Sequence, residues 1–382
     1  MEEASQPVHY RSLDVLKGMI MVVIVFGHVM ITARDGGSEG GGMPVIVQAL
    51  YLGLMAFFIM SGYFYRPGRG FVESITKRAK QILIPLFLAV VLLPLILFVY
   101  LNILGYGLPI SDYIEAVIWG SGWSHVFEPL DSYIVDAVSQ ISWGLYFLFV
   151  MFWAFIIFYA LADRVVNDTR KAVAVIAILL VIQALMVEFI DIRLPMHLNK
   201  VPIAAAFMFA GALLARTDYF NRLENGKKDA RYFLLPVISL AAGIGLCYVF
   251  QPNIVFDKGV FGSYGGWSVF PYFIEALLIF IPITYIGYAF SLIPKVSDAF
   301  AIIGRHTLGI ILLHPLVGRM IAGTFVTINA NQFVPDEVGV VARIALAIVT
   351  IIICVLICEA IPRVLDRIKG LKKKDDAEPG QS

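Results

Sequence analysis

An all-α, polytopic transmembrane helical bundle of about ten spans is the fold the sequence predicts, and three observations lead to it. Of the 382 residues, 59% are hydrophobic and 15% charged, where a soluble globular chain carries about 25% charged residues. Mean hydropathy is +0.83. The apolar residues come in unalternating runs of about 20, the length a helix needs to cross a bilayer. Such runs are unlike the alternating strands of a membrane barrel. Inside lipid a helix satisfies its own backbone hydrogen bonds. The net charge of +1 argues against a bulk basic surface for nucleic acid. Cys247, Cys354 and Cys358 lie in apolar runs and resemble neither a disulfide framework nor a soft-metal site.

The first span, near 13–33, opens LDVLKGMIMVVIVFGHVMIT and has no cleavage pattern just after it. The second, near 45–65, ends AFFIMSGYFYRPGR. A basic run leads into the third, 82–104; the fourth, 143–162, is aromatic-rich and is entered through Trp143. Spans follow near 172–190, 200–215 (a short one), 232–250, 270–293, 302–325 and 338–361. The stretch 105–142 is too polar in its second half for a span, although ISDYIEAVIWGSGW suits a surface or re-entrant helix.

With the N-terminus inside, 23 of the 29 Lys and Arg residues fall on the cytoplasmic side. The outside keeps Arg34, Arg193, Lys200, Lys258, Arg319 and Arg343. This is the positive-inside bias of a cell-membrane protein, and it places both termini in the cytoplasm, which requires an even number of spans. The expected organisation is a cytoplasmic segment 1–12, a membrane domain 13–362 and a basic, disordered cytoplasmic tail 363–382 held near anionic headgroups. The expected outer loops, 34–44, 105–142 and 251–269, mix Gly, acidic and aromatic residues. They suit a rim that grips a polyol or sugar, or ordinary solvated loops.

Polar residues inside the spans are the candidates for chemistry, because lipid makes them costly. Lys17 and His28 are eleven positions apart. At 100° per residue they return to nearly one helix face, separated by about 16 Å along the axis. An imidazole there serves as a base near neutral pH or carries an acyl group. Lys17 binds an anion arriving from the cytosol or snorkels to headgroups, and Arg11 and Asp14 share its broad face. Ser61 and Gly62 read as a helix-packing pair. Trp143 is an interface-belt residue or a stacking platform for a sugar. Glu275 needs a cation or a polar substrate, whereas Glu188 and Glu359 stand nearer water. The ninth span carries Arg305, His306, His314 and Arg319, and Pro315 follows His314 where it frees a backbone carbonyl. Arg319 and Arg343 are buried cations of the kind that polarises a carbonyl or holds a phosphate. No GxSxG, HExxH or phosphate-loop pattern occurs. A transporter or glycan flippase also fits ten spans with polar residues at depth, and a non-catalytic sensor or scaffold is a third reading.

At these residues the chain resembles the membrane acyltransferase 3 family, in particular its sugar O-acetyltransferase branch. The resemblance rests on LDVLKGMIMVVIVFGH, with a basic residue, ten spacers and a histidine. It extends through FFIMSGYFY, the basic run with IP at 77–85, WGLYFL and LLHP. It implies a bundle of about ten helices that moves an acetyl group from cytosolic acetyl-CoA, the donor, to a hydroxyl at the outer face. Acceptors of such enzymes are envelope polysaccharides, lipid-linked glycans or exported small molecules. No metal is implied, and no fused periplasmic domain is expected. The family's basic residue and histidine correspond to Lys17 and His28; many members have Arg where this chain has Lys, a point charge in place of a planar fork. Together with the polar residues above, the expected catalytic set is His28, Glu275 and His314. Arg11, Lys17, Arg78 and Arg305 would hold the acyl-CoA, and Trp143 and Arg319 the acceptor.

Overall fold

The computed structural model describes residues 10–31, 52–119, 145–189, 194–251, 265–325 and 340–375. The α-helices of these residues are α1 (Arg11–Ile31), α2 (Ala56–Tyr63), α3 (Phe71–Arg78), α4 (Ile84–Ile103), α5 (Ile110–Trp119), α6 (Tyr146–Val165), α7 (Thr169–Phe189), α8 (Val201–Ala215), α9 (Tyr219–Asn225), α10 (Ala230–Phe250), α11 (Val269–Ser291), α12 (Pro294–Arg305), α13 (Thr307–Phe325) and α14 (Val340–Asp375). Among the described residues eight helical stretches are long and apolar enough to cross a membrane, α3 and α4 counting as one through a π turn at 79–83. The pair α12–α13 raises this to as many as nine.

Two expectations change in detail, at the ninth span and in the tail. Of the span expected near 45–65 the structure describes residues 52 onward, where an apolar helix covers Gly53–Tyr63. The ninth span is two helices, because the chain bends by 81° between α12 and α13 at His306, which leaves helical geometry at φ −99°. As ISDYIEAVIWGSGW suggests, a helix follows α4: α5 lies back along it, with the Tyr113 hydroxyl 3.5 Å from the Val91 carbonyl and its ring 5.9 Å from that of Phe98. The tail is helical through Asp375, where most residues are Leu, Lys or Arg, which favour helix.

Helix α1 stands inside the bundle, against α11, α12, α13 and α14. Its membrane window is 61% buried, against 17% for α10, so α10 belongs to the lipid-facing wall. Small residues let the inner helices meet backbone to backbone. A Cβ on Gly18 would overlap the Phe300 carbonyl, and one on Gly304 would overlap that of Asp14. These two glycines lock α12 onto the first half of α1. Gly62 against Met208 and Gly211 against Ile59 do the same for α2 and α8.

One end of the bundle is tied together by polar contacts. Ser12 donates to Glu224, and the Phe220 N–H donates to the Tyr63 hydroxyl at 3.2 Å. Tyr65 bonds to Asp163, Arg216 to Thr169 at 2.7 Å, and His306 to Glu359 at 2.7 Å. Asp168 closes the start of α7 by accepting the Arg170 N–H at 2.9 Å. The start of α1 and the Glu359 turn of α14 therefore lie at the same end, together with Arg66, Arg164, Arg170, Arg222 and Lys228.

Candidate functional site

His28 lies in the last turns of α1, away from that polar end, and is half-buried. Its Nδ1 is 2.8 Å from Nε2 of His314, a buried residue of α13 that lies 286 positions further along the chain. The ring centroids are 5.0 Å apart and the planes differ by 15°. That spacing is the N···N distance plus the two ring radii, so the imidazoles meet edge to edge and nearly coplanar, as a hydrogen bond requires. The local sequence explains the position of His314. Pro315 supplies no N–H, which leaves the Ile311 carbonyl without its helical donor, and His314 Nδ1 bonds to the preceding carbonyl, that of Ile310, at 2.7 Å. One histidine nitrogen is thus committed to the backbone and the other to His28.

Glu275 is fully buried on α11. Gly287, further along the same helix, packs on Leu16 of α1. Twelve residues separate Glu275 from Gly287 and His28 from Leu16, so the two antiparallel helices hold Glu275 and His28 at about one depth. Neither Glu275 oxygen has a hydrogen-bond partner among the described residues. The side chain bonded to His28 Nδ1 is His314, not this carboxylate. Arg319 is buried on α13, a turn and a half beyond His314, and Arg343 is buried on α14. Trp143 lies outside the described residues.

The basic candidates occupy the opposite end of α1 and its surroundings. Lys17 is 3.4 Å from Asp14, one turn earlier. Arg11 pairs with Asp298 and donates to Ser297 Oγ at 2.7 Å, both on α12. Arg305, exposed, closes α12 beside the His306–Glu359 pair. Arg78 is held elsewhere: its guanidinium lies 4.5 Å above the Phe155 ring and donates to Tyr159 at 3.3 Å and Gln81 at 3.2 Å. The structure brings Arg11, Lys17 and Arg305 to the α1–α12 contact and leaves Arg78 at the π turn against α6. Ser61 donates to its own helix at Phe57 O, 2.7 Å away, beside the Gly62 close contact, which fits a packing role. Among the described residues no group of three or more His, Cys, Asp or Glu side chains is placed to hold a metal ion.

The Lys17–His28 spacing was readable from the sequence because both ends belong to one helix. The His28–His314 bond joins distant segments and was not readable, although the His-Pro dipeptide marked an interrupted helix. The Ile310 carbonyl carried no signal at all, since any residue supplies one.

A family model described as an acyltransferase domain matches residues 10–359. No curated protein and no solved structure matches the chain.

Proposed function

We propose, from the premise that this chain belongs to the acyltransferase-3 family, that it is an integral membrane O-acyltransferase. It moves an acetyl group from cytosolic acetyl-CoA to a hydroxyl of a cell-envelope carbohydrate or exported small molecule. The observation that supports this reading most directly is the bonded His28–His314 pair at one end of α1, opposite a basic cluster at the other. Arg11, Lys17 and Arg305 attract the donor phosphates, because cations gathered at one face raise the local concentration of an anionic substrate. Arg78 is a further phosphate contact near α6. The pantetheine arm runs inward along α1 over the roughly 16 Å from Lys17 to the level of His28. Holding thioester and hydroxyl together there supplies much of the rate.

His28 then acts as general base on the acceptor hydroxyl, a role worth about 10²–10⁴-fold. The tetrahedral oxyanion falls to Arg319 or a backbone amide. His314 is not an oxyanion donor in this scheme, because both its nitrogens are engaged. Glu275 accepts from a second hydroxyl of the acceptor, and Trp143 stacks on its ring. The protein resides in the cell membrane, with its basic end and both termini in the cytoplasm.

The test is vectorial. In proteoliposomes of defined orientation, labelled acetyl-CoA is supplied on one side and an envelope glycan extract on the other. Label should enter glycan only when acetyl-CoA faces the Arg11 end. Glycan crossing the bilayer with acetyl-CoA intact would instead support a flippase.

A further inference from the structure

The hydrogen bonds of the two histidines fix where their protons sit. The Ile310 carbonyl only accepts, so His314 Nδ1, 2.7 Å away, carries hydrogen. A neutral imidazole has one N–H, and His314 Nε2 therefore holds a lone pair. His28 Nδ1 lies 2.8 Å from that nitrogen. Two lone pairs would repel at this distance, so His28 Nδ1–H donates. The lone pair of His28 is then on Nε2. The assignment follows from the chain of partners, beginning at a group whose role is not adjustable.

We propose that His314 is a positioning residue that holds His28 in its Nδ1–H form, so that proton transfer in this site runs through His28 Nε2. The inference rests on the acyltransferase reading above and assigns one further residue to it. The step balances without any additional reactant. The acceptor O–H bond breaks and its proton goes to His28 Nε2. The oxygen forms a bond to the thioester carbon, the C–S bond breaks, and the departing thiolate takes the proton back from Nε2. While His28 is an imidazolium, His314 Nε2 accepts a charge-assisted hydrogen bond from Nδ1–H, which is stronger than the neutral one it replaces. Stabilisation thus increases at the moment the base is charged. The arrangement resembles a base oriented by a hydrogen-bonding third group, with an imidazole in place of a carboxylate.

Two readouts test this. The first does not depend on turnover: imidazole carbon and nitrogen chemical shifts of histidine-labelled protein in lipid bilayers, where six histidines are to be assigned. His28 and His314 should both give Nδ1–H signatures in their neutral forms. The second is kinetic. His314→Phe keeps a ring but deletes the acceptor nitrogen, and should lower kcat about 100-fold with the KM for acetyl-CoA unchanged. His314→Gln places an amide oxygen near the lost Nε2 and should recover most of that loss. Thermal unfolding of each variant checks that it is folded. An Nε2–H signature for His28 in the wild type would overturn the proposal. So would a folded His314→Phe protein with wild-type kcat, or a Gln variant no better than Phe. Wild-type protein that never consumes acetyl-CoA would remove the acyltransferase reading, while the chemical shifts would still decide the proton placement.

Discussion

His28 is the residue on which the account turns, and its environment makes specific demands. Replacing it by Ala removes the base and should lower kcat by about 10²–10⁴-fold, measured as thiol release from acetyl-CoA. The folded state should survive, because the His314 bond to Ile310 is independent of His28. Glu275 offers a contrasting substitution. Its oxygens lack hydrogen-bond partners among the described residues, and an unpaired carboxylate is expensive to bury. Glu275→Gln should leave the melting temperature unchanged or raise it. If the group accepts from the substrate, the acceptor KM should rise about tenfold, the cost of one charged hydrogen bond. An unchanged KM would remove Glu275 from the site. Sequence reasoning reached each of these residues singly, because a polar group in lipid is conspicuous. Their contacts depend on how α1, α11 and α13 pack, and no local pattern encodes that.

At the level of elements, α12 is the part least evident in the sequence and the most exacting in its fit. Most of it falls between the expected spans 270–293 and 302–325, with only its last turn inside the latter; the 81° bend at His306 separates it from α13. What holds α12 on α1 is the mutual approach of Gly18 and Gly304 to opposing backbone. Gly304→Leu should destabilise the protein by about 1–3 kcal/mol or more, the cost of forcing bulk into a packed contact, and thermal unfolding in detergent would show it. The same change should raise the KM for acetyl-CoA, because Arg11 reaches its α12 partners Ser297 and Asp298 across this contact. The start of α7 is set differently. Asp168 accepts the Lys171 and Arg170 backbone N–H groups, and these bonds, with the Lys171 charge, hold its carboxyl below the usual value. A lowered value in the folded state means the contribution is complete above the ordinary carboxylate range and disappears as the pH falls through the lowered value. Asp168→Ala should therefore melt below the wild type at neutral pH, and the gap should close in acid. Persistence of the gap there would show that the carboxylate charge is not its cause. Long apolar helices such as α7 and α10 were readable within a few residues because composition and length alone determine them. The helical continuation of α14 was not, since it depends on helix propensity beyond the membrane.

For the whole molecule, the polar contacts that join the start of α1 to α9, α12 and the Glu359 turn of α14 make one end of the bundle distinct from the other. The charge distribution in the sequence marked the same end as basic, and the proposed orientation puts it in the cytoplasm. A cysteine placed in the loop at Lys227 should react with a membrane-impermeant thiol reagent only after the cytoplasmic side is opened. Reaction in intact cells would invert the topology and with it the direction of transfer. The family assignment, the one-ended basic cluster and the distant histidine pair support one proposal, that acetyl groups from CoA reach a hydroxyl through His28. The most direct measurement is label transfer from acetyl-CoA to an envelope glycan extract by the purified protein in nanodiscs, wild type beside His28→Ala. The account predicts labelled glycan with stoichiometric CoA release from the wild type, and loss of both in the variant. Equal labelling by a folded His28→Ala protein would contradict it.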